Sequence, residues 1–208
     1  MRVHAILVAV ALALPVGGCL GQEPPKKVRY ALGTGRPGEP VEAHAGVARI
    51  ARVRVSSLFE RKGFVYRTGE DRFERDFYNE FYAPPGSLVR ERTGVWLGNS
   101  GLFDSVVDAT DPAPTDWIIE GWMEQFYVDA RAKPPEIVVK IEYTVLDARS
   151  VNLDPVFQNT YQRRLPAESL DSEDLVSTWA EILTQILTEF EADLRESPVA
   201  VPREDVRQ

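Results

Sequence analysis

One alternating run sets the architecture of this 208-residue chain, and it reads Ile137-Val138-Val139-Lys140-Ile141-Glu142-Tyr143-Thr144-Val145. Its odd-numbered positions are apolar, whereas positions 140, 142 and 144 are polar. Successive side chains of a strand point to opposite faces of a sheet. The run therefore predicts a strand with one buried face, as is typical of an antiparallel sheet covered on one side.

A long amphipathic helix is predicted after this strand. Asp171 suits the N-cap, and Glu173 and Asp174 suit the first turn, where the helix dipole favours negative charge. One apolar stripe runs along the helix, formed by Leu175, Trp179, Ile182, Leu183, Ile186, Leu187, Phe190 and Leu194. We interpret the stripe as core packing across the sheet, in preference to a docking face for a partner helix.

The other segments complete an α+β pattern. Alternation or apolar content predicts strands at residues 47–56, 64–67, 72–78, 102–107, 116–129 and 156–165. A shorter helix is predicted from Ser87, as its N-cap, to about Asn99. The order of these elements indicates a mostly antiparallel sheet packed by two helices, the longer one C-terminal.

The N-terminus has the pattern of a lipoprotein signal. Arg2 precedes an unbroken apolar run at residues 5–14, which is too short to span a membrane as a helix. Pro15 ends the run. The following Val16-Gly17-Gly18-Cys19 resembles the lipobox of bacterial lipoproteins, in which the cysteine thiol is acylated and the chain is cut before it. The alternative is an ordinary secretory signal with an incidental cysteine.

This pattern divides the chain into four parts. Residues 1–18 are predicted to be the signal peptide, and residues 19–46, rich in Pro, Gly and charge, a lipidated tether. A short edge strand is foreseen within the tether at residues 28–32. Residues 47–196 are predicted to form the α+β domain, and residues 197–208 a disordered tail.

Composition argues against several classes of function. The formal charge of −8 makes the chain a poor nucleic-acid binder, since phosphate contacts need clustered Lys and Arg. His44 is the only histidine after the signal, and Cys19 the only cysteine, so zinc sites and the usual Ser-His or Cys-His nucleophiles are not expected. We expect a protein that is not an enzyme and carries no cofactor besides covalent lipid on Cys19.

Two further patterns suggest ligands only weakly. Residues 33–38 match the dinucleotide-binding pattern G-x-G-x-x-G, but Pro37 and Pro40 prevent the helix that would hold the pyrophosphate. Four aspartates, Asp104, Asp108, Asp111 and Asp116, lack the regular spacing and glycine of a calcium-binding loop. We interpret them as a solvated loop.

Three later motifs resemble the ABC-type transport auxiliary lipoproteins. The first is Phe59-Glu60-Arg61-Lys62-Gly63-Phe64-Val65-Tyr66-Arg67, which resembles their central motif. An aromatic-Ala-Pro-Pro step follows at Tyr82-Ala83-Pro84-Pro85, where Tyr82 stands in place of the family's tryptophan. A helix then leads to Ser100-Gly101-Leu102-Phe103. The later strands and the final helix follow in the family's order.

This resemblance implies a non-catalytic accessory of an ABC-type system that moves lipids between the two membranes. The implied partner is an MCE-domain protein, and the implied contact residues are Glu60, Arg61, Tyr66 and Arg67. Leu20, in place of a retention aspartate, predicts the periplasmic face of the outer membrane. A homo-oligomer is left open. The alternative is a lipoprotein assembly or structural factor for lipopolysaccharide or cell wall.

The aromatic residues around the central motif are interpreted as packing groups. Tyr66, Tyr78, Phe81 and Tyr82 are expected to fill the core and the hairpin in preference to a ligand pocket.

Overall fold

The computed structural model describes residues 26–43 and 45–200. The predictions made for the signal peptide, Cys19, Leu20 and His44 lie outside the described residues, as do those for residues 201–208. The elements in chain order are β1 Val28–Tyr30, β2 Val47–Val55, β3 Gly63–Arg67, β4 Phe73–Phe81, α1 Pro85–Gly98, β5 Ser105–Asp108, β6 Trp117–Asp129, β7 Glu136–Asp147, β8 Pro155–Pro166 and α2 Ser172–Glu196.

The eight strands form one mixed sheet that forks at β6. Along one edge, β6 pairs antiparallel with the whole of β7, which pairs antiparallel with β8. Along the other edge, the first half of β6 pairs in parallel with β2, and its last two residues pair in parallel with β3. β5 extends the β2 branch, while β4 and β1 extend the β3 branch. The long pairings are antiparallel and most of the short ones parallel.

Both helices cover one face of this sheet. Tyr143 of β7 stacks on Phe190 of α2 with ring centroids 4.2 Å apart, and its hydroxyl lies 2.8 Å from that of Thr93 in α1. Trp179 of α2 stacks on Phe126 of β6 at 5.3 Å. Every residue of the predicted α2 stripe is at most 2% exposed. The α+β prediction, with the longer helix C-terminal, and the core-packing interpretation are confirmed.

The two helix starts differ in how well the sequence predicts them. The Asp171 carboxylate accepts a hydrogen bond from the amide of Glu173 at 2.9 Å, which confirms the N-cap of α2. The prediction for α1 is wrong, because the cap position is Pro84 and Ser87 lies inside the helix. Pro85 suits the first helical position, since its fixed φ is helical and its missing N–H would have no partner there.

The folded region is wider than the predicted boundaries of 47 and 196. Val28–Tyr30 pairs in parallel with β4, and Leu32 is 1% exposed. The amides of Val41 and Ala45 donate to the carbonyls of Ser100 and Leu102. These backbone bonds replace the solvation that a flexible tether would need. At the other end, Pro198–Ala200 forms a 3₁₀ turn and Val199 is buried, which corrects the predicted tail over these residues.

Candidate functional site

The four residues predicted to bind a partner do not converge. Glu60 and Arg61 lie exposed in the loop between β2 and β3. Tyr66 and Arg67 lie at the far end of β3, where both are partly buried. The structure therefore splits the predicted site into a surface loop and a strand end with separate surroundings.

The loop half of the site borders a shallow concavity of about 320 Å³ at the N-terminus of α1. Glu60 lines it together with Arg52 and Arg90. The side chain of Arg75 lies under the same loop and donates to the carbonyl of Leu58 at 2.7 Å. Desolvation, and then the charge of Arg61, lower the pKa of Arg75. The loop thus combines one carboxylate with several cations.

The strand half of the site serves the fold. Arg67 donates to the carbonyls of Gly69 and Glu70 at 3.3 and 3.1 Å and lies 5.7 Å from the ring centroid of Phe73. These contacts stabilise the turn between β3 and β4. The Arg67 guanidinium is thus engaged within its own hairpin, and its predicted contact with a partner stays a prediction.

Tyr66 leads to a feature that the sequence reasoning missed, an irregularity in β4. Its hydroxyl donates to Asp76 Oδ2 at 3.5 Å, and burial, followed by the charge of Asp76, raises the pKa of Tyr66. Asp76 Oδ1 accepts from the amides of Tyr78 and Asn79 at 2.7 and 2.9 Å. Desolvation opposes ionisation of Asp76, but these hydrogen bonds outweigh it and hold its pKa below the usual value.

Asp76 shapes a bulge in β4. The pairing between β3 and β4 jumps from Gly63↔Glu80 to Val65↔Arg75, which leaves the intervening β4 residues outside the ladder. Bulges of this kind re-aim side chains and recur near functional sites. Phe77 and Tyr78 are 67% and 45% exposed, with their rings edge to face at 5.2 Å. We call Phe77 and Tyr78 the aromatic bulge.

The expectation that all the aromatics near the motif are packing groups is wrong for two of them. Phe81 is buried against Phe64 at 4.7 Å and Tyr66 is partly buried, as expected. Tyr78 and Tyr82 are exposed, Tyr82 at 69%. The adjacent pair Phe77-Tyr78 carried a usable signal, since neighbouring residues of a regular strand cannot both face one core.

Two cations lie at the same sheet edge as the aromatic bulge. Lys27 Nζ lies 4.7 Å from the ring centroid of Phe77. Lys27 and Arg29 share Glu80 as their partner, at 3.3 and 2.9 Å. Their side chains are 43% and 57% exposed, whereas that of Glu80 is 13% exposed. The hydrogen bond from Arg29, more than any other contact, lowers the pKa of Glu80. Lys27 and Arg29 thus balance the two carboxylates of this edge, Glu80 and Asp76, on a protein whose formal charge is −8.

A second polar cluster is structural. Arg36 binds both carboxylate oxygens of Glu191, at 2.9 and 2.8 Å, and the indole of Trp96 donates to the same carboxylate at 2.7 Å. The side chains of Arg36 and Glu191 are only 8% and 6% exposed. Desolvation opposes ionisation of Glu191, but these hydrogen bonds and the nearby Arg195 hold its pKa below the usual value. The cluster fastens the segment before β2 to both helices.

The other ligand patterns in the sequence have structural partners. The amide of Val47 donates to Asp116 at 2.8 Å, and Asp108 pairs with Arg90. Over residues 26–43 and 45–200, His, Cys, Asp and Glu side chains form no group of three or more that could hold a metal ion. Within the described part of the chain, no helix combines the length and apolar character that crossing a bilayer requires.

Comparison with known proteins identifies the fold. No family model matches the sequence, and no curated protein matches it significantly. Protein XCC0632 from Xanthomonas campestris, described as a DUF330 protein, superimposes with a TM-score of 0.70 at 15% identity over 81% of this chain and 94% of its own. An uncharacterized protein superimposes with a TM-score of 0.62 at 14% identity over 81% and 99%. At identities this low, these superpositions show a shared fold alone.

Proposed function

We propose that the chain is a lipoprotein held by lipid on Cys19 at the periplasmic face of the outer membrane. Its proposed role is that of a non-catalytic accessory of an ABC-type, MCE-linked system for intermembrane lipid transport. The lipobox-like Val16-Gly17-Gly18-Cys19 supports the anchor, and the order of the family-like motifs supports the role. Leu20 after the cysteine supports the outer membrane as the destination.

The observation that carries this proposal is that buried aromatic residues hold both ends of the family-like loop at residues 59–64. Phe59 is 4% exposed and stacks on Tyr127 at 5.8 Å, on the sheet face opposite the helices. Phe64 is 1% exposed under α2. Between these two anchors, Glu60 and Arg61 are held at the surface. A short loop fixed at both ends presents its charges with little loss of conformational entropy on binding, which favours recognition of a partner.

The charge composition of the loop suits a protein partner. Glu60 beside Arg52 and Arg90 gives a mixed-charge border around a concavity, so a partner with complementary charges gains specificity there. The proposed partner is the MCE-domain protein.

Photocrosslinking in living cells tests this role. A photoreactive amino acid at position 60 or 61 is expected to capture an MCE-domain protein in a strain that expresses one. Val151 supplies the matched control, because it is 99% exposed in the turn between β7 and β8. Capture from position 151 alone, or from none of the three positions, would contradict the proposal. The assembly or structural factor for lipopolysaccharide or cell wall would then be the remaining candidate.

Charge reversal supplies a functional readout at the same place. Arg61→Glu changes an exposed residue, so the free energy of unfolding is expected to shift by no more than about 0.5 kcal/mol. Loss of lipid transport at unchanged protein abundance would support the contact surface. Full transport activity in Arg61→Glu, with the crosslink also unchanged, would exclude Arg61 from it.

A further inference from the structure

The aromatic bulge is an exposed apolar feature beside β1, the first strand of the described residues. Val28 of β1 is also exposed, at 46%. The three side chains belong to neighbouring strands, since Val28 pairs with Asn79. Clustered exposed apolar side chains rimmed by charge are a mark of interaction surfaces.

Four hydrogen bonds to the Asp76 carboxylate hold the backbone of the aromatic bulge in place. The backbone amides of Tyr78 and Asn79 donate hydrogen bonds to Asp76 Oδ1, which fixes the backbone there. The Asn79 side chain donates to Asp76 Oδ2 at 3.0 Å. Tyr66 adds a fourth donor from the neighbouring strand. A strand that merely ended at this edge would not need an ionised, half-buried carboxylate to hold two aromatic rings outward.

The chain length between Cys19 and β1 limits what these rings can meet. Eight residues lie between Cys19 and Val28, so the nine Cα–Cα steps of a fully extended chain reach about 30 Å at most. β1 is the first strand in the described part of the chain, and it pairs with β4 directly beside the bulge. The aromatic bulge is thus tethered within about 30 Å of any membrane that holds an acylated Cys19.

The chemistry of the surface matches a lipid headgroup region. Phe and Tyr rings partition to the interface between headgroups and acyl chains, where a ring finds an apolar medium and a hydroxyl finds water. Lys27 and Arg29 supply cations for headgroup phosphates at the same edge. The protein as a whole carries a formal charge of −8 and would repel anionic headgroups, whereas at this edge two cations balance two carboxylates, so the repulsion is weaker here.

We propose that the aromatic bulge, Phe77 and Tyr78, inserts into the headgroup region of the membrane to which Cys19 is anchored. The proposal rests on the lipid anchor of the proposed function. It sets the orientation of the domain, with the β1 and β4 edge on the membrane and the turn between β7 and β8 away from it. The bilayer is the proposed partner of the rings, because at most about 30 Å of chain separates β1 from an acylated Cys19.

Quenching by brominated lipids tests this orientation on the full acylated protein. Phe77→Trp and Tyr78→Trp place a reporter in the bulge, and Val151→Trp places one on the distant turn, so all three share the same native tryptophan background. The vesicles contain phosphatidylethanolamine and phosphatidylglycerol, with or without bromine on the upper acyl chain. Interfacial apolar groups lie about 5–10 Å into the headgroup and acyl boundary, so bromine on the upper acyl chain should quench the added emission at positions 77 and 78.

The outcomes separate this proposal from the anchor. Incorporation of labelled palmitate is measured first, and a chain without label removes both the anchor and the docking. A labelled protein with quenching at 77 and 78 but not at 151 supports the docking. A labelled protein with no quenching at 77 and 78, or equal quenching at all three positions, overturns the docking and leaves the anchor standing. If a photoreactive amino acid at position 77 links two copies of the protein and no quenching is seen, the membrane docking is also overturned, in favour of self-association.

Discussion

Glu191→Ala removes a carboxylate that three other groups share. Arg36 loses both of its carboxylate hydrogen bonds, and the Trp96 indole loses its acceptor. The Arg36 side chain is 8% exposed, and its remaining acceptors are the carbonyls of Gly38 and Glu39, at 2.9 and 3.2 Å. The substitution therefore leaves one buried cation and one buried donor without their present partner.

The magnitude follows from burial. Removing one partner of a buried ion pair costs about 3–5 kcal/mol, because the remaining charge stays desolvated. Arg195 adds little, since it is 40% exposed. We expect Glu191→Ala to lower the free energy of unfolding by about 4 kcal/mol. With a urea dependence of about 2 kcal/mol per molar, the unfolding midpoint falls by about 2 M.

Urea unfolding followed by circular dichroism measures this loss, and α2 supplies its own control. Glu189 also pairs with an arginine, Arg163, but the two side chains are 44% and 32% exposed. Glu189→Ala should cost less than about 1 kcal/mol. Replacing both Arg36 and Glu191 by methionine should cost less than Glu191→Ala alone, because no buried charge remains. Equal losses in Glu189→Ala and Glu191→Ala would refute the reasoning.

Three further predictions concern stability. Trp179→Ala should cost about 3–5 kcal/mol in the same urea assay, from lost burial plus a cavity, and a cost below about 1 kcal/mol would mean that α2 does not pack as described. Gly101→Ala should cost about 2 kcal/mol or more, because φ is +73° and the new Cβ would lie 1.8 Å from the Val41 carbonyl oxygen. Gly35→Ala, with nothing within 4 Å of the new Cβ, is its control and should be near neutral. The guanidinium of Arg131 donates to both carboxylate oxygens of Asp129 and lowers the pKa of this carboxyl from 3.8 to about 2. The folded pKa of Asp129 is the lower one, so its contribution of about 2 kcal/mol is complete above about pH 5 and is lost as the pH falls through 2. Asp129→Asn should flatten the pH dependence of the unfolding midpoint in that window, and an unchanged profile would contradict the assignment.

The local sequence pattern predicts the elements that depend on neighbouring residues or that bury one uniformly apolar face. The alternation of residues 137–145 and the stripe of α2 each encode one buried face, so both emerged with correct type and orientation. The N-cap at Asp171 was also readable, because capping depends on residues two or three positions away. The start of α1 differs from the prediction because Ser87 has the side chain of a typical N-cap, whereas Pro85 begins the helix.

Long-range contacts explain what the sequence did not reveal. Arg36 and Glu191 are 155 positions apart, and nothing near Arg36 indicates a buried partner. Composition rich in Pro and Gly therefore predicts a tether before β2, although the amides of this segment bond to the loop after α1. The aromatic bulge was missed for a related reason. Its exposure depends on a register shift between β3 and β4, which local alternation does not report.

Acylation of Cys19 is the most direct test of the proposed anchor. Cells are grown with radioactive palmitate, and the protein is recovered after separation of inner and outer membranes on a density gradient. We expect label on the native chain in the outer-membrane fraction and none on Cys19→Ser, which should remain an uncleaved precursor. Label that persists on Cys19→Ser would contradict the anchor, and labelled native protein in the inner-membrane fraction would contradict the proposed location.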